Sequence, residues 1–99
     1  MKIWFQLVIN SNGDPYNNSK TTQVKVNNVD NIDDLKKEIK KECSNDLSTI
    51  DASKLLIYLN QQQLKENNSI DSRKLLSELN ITNTDTLLVL VPDTRKGKV

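Results

Sequence analysis

Residues 30–43 read Asp30-Asn31-Ile32-Asp33-Asp34-Leu35-Lys36-Lys37-Glu38-Ile39-Lys40-Lys41-Glu42-Cys43, and this stretch decides the fold. Ile32, Leu35, Ile39 and Cys43 recur at spacings of three, four and four, which gathers them on one side of an α-helix. Asp30 or Asn31 can cap its start, because a short side-chain oxygen accepts a bond from an N–H of the first turn. Asp33 and Asp34 occupy that first turn and lysines dominate the later turns, the favourable sense of the helix dipole. Lys36, Lys37, Lys40 and Lys41 are expected to face water. Their clustering invites a phosphate-binding reading, but a solvated helix face accounts for them more simply. Such a helix has one apolar stripe and needs another surface on which to bury it.

The flanking sequence supplies that surface. In residues 2–9, Ile3, Phe5, Leu7 and Ile9 alternate with Trp4, Gln6 and Val8, the period-two pattern of a first strand. Asn12-Gly13-Asp14-Pro15 then turns the chain, since glycine permits positive φ and proline refuses a ladder bond. Thr22 to Val26 alternates as a second strand. After a polar connection holding Leu47 and Ile50, Lys54-Leu55-Leu56-Ile57-Tyr58-Leu59 is a third strand, apolar on both sides. Leu64 can begin a short fourth strand, residues 70–79 suggest a helical turn or two, and Thr86 to Val91 form a last strand stopped by Pro92. A hairpin, a helix across it and a return to the sheet predict an α+β fold of β-grasp type. Its mixed sheet carries one main helix packed on one face.

Composition sets further bounds. At 99 residues the chain suits one domain, expected over 1–93, with 94–99 a flexible tail or the start of a linker. Net charge is +1, from 14 basic and 13 acidic residues, so no broad positive field favours nucleic acid. A short basic run, Arg95, Lys96 and Lys98, lies at the end. Cys43 is the sole cysteine and there is no histidine, which excludes an intrachain disulfide and leaves a thiol nucleophile without an imidazole base. We therefore expect no enzyme, no cofactor and no metal. The apolar run at the N-terminus is too short for a membrane span and shows no signal peptide.

If Leu55, Ile57 and Leu59 point to the helix, Leu56 and Tyr58 point to the other side of the sheet. Likewise Leu87, Val89 and Val91 point in, and Leu88 and Leu90 out. With the last strand between the first and third, Trp4, Leu56, Tyr58, Leu88 and Leu90 would share one open apolar patch. Such a patch on a small domain suits a protein partner or self-association.

Two resemblances follow from these residues. Gln63-Leu64, Leu75-Leu76-Ser77-Glu78-Leu79-Asn80-Ile81 and Thr86-Leu87-Leu88-Val89-Leu90 look like the second half of the ubiquitin fold, with an insertion around Ile70 to Lys74. The end departs from it: a conjugated modifier needs a Gly-Gly terminus, and Asp93 to Val99 hold only Gly97. Over nearly its whole length the chain resembles the N-terminal header domain of Crinkler effectors, found in fungal and oomycete plant pathogens and symbionts. Val29 to Lys41, Ile50-Asp51-Ala52-Ser53-Lys54-Leu55-Leu56-Ile57-Tyr58, Leu75 to Leu79 and Leu87 to Pro92 carry that likeness in order. The family's Leu-Phe-Leu-Ala-Lys-type motif has only a loose analogue in Leu55 to Leu59. The resemblance implies a secreted, ubiquitin-like header that enters host cells ahead of a C-terminal effector domain, with the host nucleus a destination of the full-length form. The alternative is a ubiquitin-like adaptor domain of an intracellular protein unrelated to effectors.

Overall fold

A computed structural model describes residues 2–10, 12–16, 20–27, 30–45, 47–48, 50–79 and 85–92. The expected tail at 94–99, with Arg95, Lys96, Gly97 and Lys98, lies outside the described residues, as do Val29, Asn80 and Ile81. The strands are β1 (Lys2–Val8), β2 (Thr22–Lys25), β3 (Leu56–Tyr58) and β4 (Thr86–Leu90). The helices are α1 (Ile32–Glu42) and the short α2 (Gln61–Lys65). Single 3₁₀ turns occur at Ala52–Lys54 and Leu76–Leu79. No helix among the described residues is long and apolar enough to cross a membrane.

The sheet has the order β2-β1-β4-β3. β1 pairs antiparallel with β2 and parallel with β4, and β3 closes antiparallel on β4. The first and last strands of the chain are thus neighbours at the centre, and α1 lies against one side. This is the expected mixed sheet with one main helix, an α+β architecture compatible with a β-grasp.

Alternation explains the core. Ile3, Phe5 and Leu7 of β1, Val24 of β2, Leu55 and Ile57 around β3, and Leu87 and Val89 of β4 all turn toward α1. They meet Ile32, Leu35 and Ile39, each fully buried, and Cys43 packs half-buried at the helix end. Each aliphatic side chain so buried contributes about 1.5–3 kcal/mol, so this layer dominates the stability.

The start of α1 is closed on every side. Asn31 is the N-cap: the Asp34 N–H donates to Asn31 Oδ1 at 2.9 Å, and the Asn31 N–H donates back to Asp34 Oδ2 at 3.3 Å. This reciprocal pair is a capping box with aspartate in the glutamate role. The N–H groups of Ile32 and Asp33 donate to the carbonyls of Lys74 and Ser72 at 2.9 and 3.0 Å. The N–H groups of Ile32 and Asp33 are therefore taken up by the segment at 72–74.

Three expectations are corrected. Leu64 does not begin a strand; it belongs to α2, so the sheet has four strands among the described residues. Ile9 does not continue the core side of β1. The Ile9 N–H donates to Asp14 C=O at 2.9 Å, the chain leaves the ladder there, and the side chain is 42% exposed. Lys36 does not face water: it is 4% exposed, and its Nζ donates to Ser72 Oγ at 3.1 Å. Positions 32, 35, 36 and 39 form a stripe one residue wider than the aliphatic residues reveal, and a lysine stem lines it while the ammonium finds a hydroxyl at its margin. Lys37 and Lys41 are exposed as expected and pair with Asp33 and Glu38 at 3.6 and 3.7 Å.

Candidate interaction face

The side of the sheet turned away from α1 is where the candidate residues fall. Register places them in rows across the strands: Gln6, Leu88 and Tyr58 in one, Val8, Leu90 and Leu56 in the next. A third row runs from Gln23 through Trp4 to Thr86. Side chains in a row stand side by side on one face, so the rows show which candidates touch.

Val8 and Tyr58 are buried there, and Leu64 of α2 lies on them, with Leu88 and Leu90 packed partly exposed against the group. The structure therefore brings together three of the five candidates, Tyr58, Leu88 and Leu90. It adds Val8 and Leu64, which the sequence reading had not included. Leu56 sits outside this cluster and stays 39% exposed at the edge. Trp4 also lies outside it, half-buried toward the opposite corner beside Gln23 and Thr86.

What covers the cluster is α2, and its origin is local. Asn60 is the N-cap, its Oδ1 accepting the Gln63 N–H at 2.9 Å. Asn60 followed three residues later by Gln63 is the spacing of a capping box, a signal that could have marked this helix in the sequence. The β1–β2 loop frames the same area. Asn10 Oδ1 accepts the N–H groups of Asn12 and Asp14 at 3.0 and 3.3 Å, and Pro15 forms a bridge to Val8. Gly13 adopts φ +84°, a conformation that favours glycine, and a Cβ there would lie 2.6 Å from the tip of the Gln61 side chain, so loop and helix abut.

Burial pushes the Tyr58 phenol above its ordinary pKa, because the phenolate loses water under this cover. By contrast Asp71, exposed near Ser72, is held below the usual carboxylate value, chiefly by the Arg73 N–H, which donates to its Oδ1 at 2.9 Å. A groove of about 310 Å³ opens elsewhere, between Leu59, Ile70 and Leu79 with Lys74 and Asp71 at its rim.

The sheet order, the buried helix face and the framed apolar strip define an α+β domain of β-grasp type, whose distinguishing surface is the side away from the helix. Within that class the chain belongs to the Crinkler family: residues 8–97 match the model described as the Crinkler effector protein N-terminal domain. The resemblance drawn from Val29 to Lys41 and from Leu87 to Pro92 falls inside that match. A comparison with curated proteins gives no match.

Proposed function

We propose that this domain is a non-catalytic, ubiquitin-like header of a secreted Crinkler-type effector. It binds protein, a partner or a second copy of itself, and directs a C-terminal effector domain into host cells. Membership of the Crinkler family supports the effector context. The observation that carries the binding role is the incompletely covered second face, where Leu56 is 39% exposed beside the partly exposed Leu90. An apolar strip left open beside a buried one suits a docking surface better than a core.

The test uses the chain fused ahead of a fluorescent reporter and offered to host cells. The expected result is uptake that exceeds the reporter alone and falls for Leu56→Asp and for the pair Leu56→Asp with Leu88→Asp. Circular dichroism establishes that each variant is folded. Uptake equal to the reporter alone removes the targeting role, and unchanged partner capture or self-association by a folded Leu56→Asp variant removes the face.

A further inference from the structure

The four strands contain no Asp or Glu, and their only charged residues are Lys2 and Lys25. Register sets these two lysines directly opposite one another across β1 and β2. They lie on the side away from α1, because their neighbours Ile3 and Val24 point into the core. Both are exposed, and neither meets a carboxylate within ion-pair distance among the described residues. The described ion pairs are on α1 and at Asp71–Arg73. This corner of the open face thus carries two lysines and, among the strand residues, no carboxylate.

Trp4 stands in the adjoining row, between Gln23 and Thr86. Like charges directly opposite destabilise a strand pair, so a structural purpose for this pairing is hard to find. Lys25 on the edge strand β2 can discourage edge-to-edge pairing. Lys2 lies at the start of β1, two residues before the described pairing with β4 begins at Trp4. The corner thus sets an aromatic ring beside two exposed lysines and two polar side chains.

We infer that this corner binds an acidic peptide segment of a partner protein, its carboxylates on Lys2 and Lys25 and an apolar side chain on the Trp4 ring. Gln23 and Thr86 are placed to bond its backbone. Single-stranded nucleic acid fits less well, since it needs a track of cations and successive stacking rings, and the corner has two lysines and one ring. The inference deepens the protein-binding reading above and rests on it.

Trp4 is the only tryptophan, so its fluorescence reports this corner alone. The probes are a capped peptide of alternating Glu and Leu, its alternating Lys and Leu counterpart, and oligothymidylate. The Glu-Leu peptide is expected to shift Trp4 emission saturably, with affinity falling as salt rises. Lys2→Gln with Lys25→Gln should weaken it about five- to tenfold, two exposed ion pairs being lost, and Lys25→Glu should weaken it at least as much. No spectral response, unchanged affinity in the double variant, or equal binding of the Lys-Leu peptide overturns the inference. Tighter, lysine-dependent binding of oligothymidylate overturns it in favour of a nucleic-acid platform. A header that delivers its reporter but fails these titrations loses only the acidic partner. One that passes them without delivering loses only the targeting role.

Discussion

The two sides of this sheet share the same four strands and are closed in different ways. Toward α1, one helix of three turns lays Ile32, Leu35 and Ile39 onto the strands, and all three are fully buried. On the other side, a five-residue helix places only Leu64 over Val8 and Tyr58, while Leu56 and Trp4 stay outside that cover. The first side is a core in the ordinary sense, where removing an atom leaves a cavity. The second is part core and part surface, and the change occurs within single strands: Val8 is buried while Trp4, on the same face of β1, is half-exposed. Partial cover leaves apolar side chains such as Leu56 accessible on this side.

The largest effect expected from this difference compares Leu35→Ala with Leu64→Ala. Both side chains are essentially inaccessible, and cavity-forming Leu→Ala changes cost about 2–5 kcal/mol. Leu35→Ala should fall near the top of that range and Leu64→Ala near the bottom, because α2 can settle onto Val8 and Tyr58 more freely than α1 can move. Urea unfolding followed by circular dichroism measures both. Equal losses would make the second side as rigid a core as the first and abolish the distinction.

A smaller effect tests the frame around the second side. Gly13→Ala puts a Cβ against Gln61 and a side chain at φ +84°, and should cost about 1 kcal/mol. Unfolding by urea reads the cost, and a variant as stable as the parent would separate loop from helix.

The smallest effect concerns pH. Burial raises the Tyr58 pKa, so the folded state retains a proton that the unfolded chain releases near pH 10. Its contribution to stability is complete below that pH and is lost as pH rises through the folded value. Tyr58→Phe should flatten this part of the stability profile above pH 10 and leave neutral pH nearly unchanged. An identical alkaline decline in both proteins would mean that the cover over Tyr58 is open to water.

Much of this was legible before any coordinates. Alternation in residues 2–8 and 86–90 announced strands, and the spacing of Ile32, Leu35 and Ile39 announced the helix, because side-chain direction in each element repeats with a fixed period. Asp30 or Asn31 as cap, with Asp33 and Asp34 in the first turn, marked the helix start without choosing between the two caps, and the inward set of β3 and β4 followed from parity alone. Lys36 was misplaced because an aliphatic stem and an ammonium read as one polar letter. Leu64 resists assignment because a single leucine among glutamines carries no period, and only the capping spacing of Asn60 and Gln63 marks its helix.

By itself, then, the sequence determined which segments are strands and helix, which of their residues point toward α1, and the family likeness carried by those segments. Only the tertiary structure decided that α2 covers Tyr58 and Val8 but not Leu56 or Trp4, that Ser72 receives Lys36, and that Lys2 and Lys25 stand face to face. Periodicity is a property of neighbours in the chain and is written locally. Cover and pairing arise between segments far apart in sequence, where register and the path of the loops choose the partners.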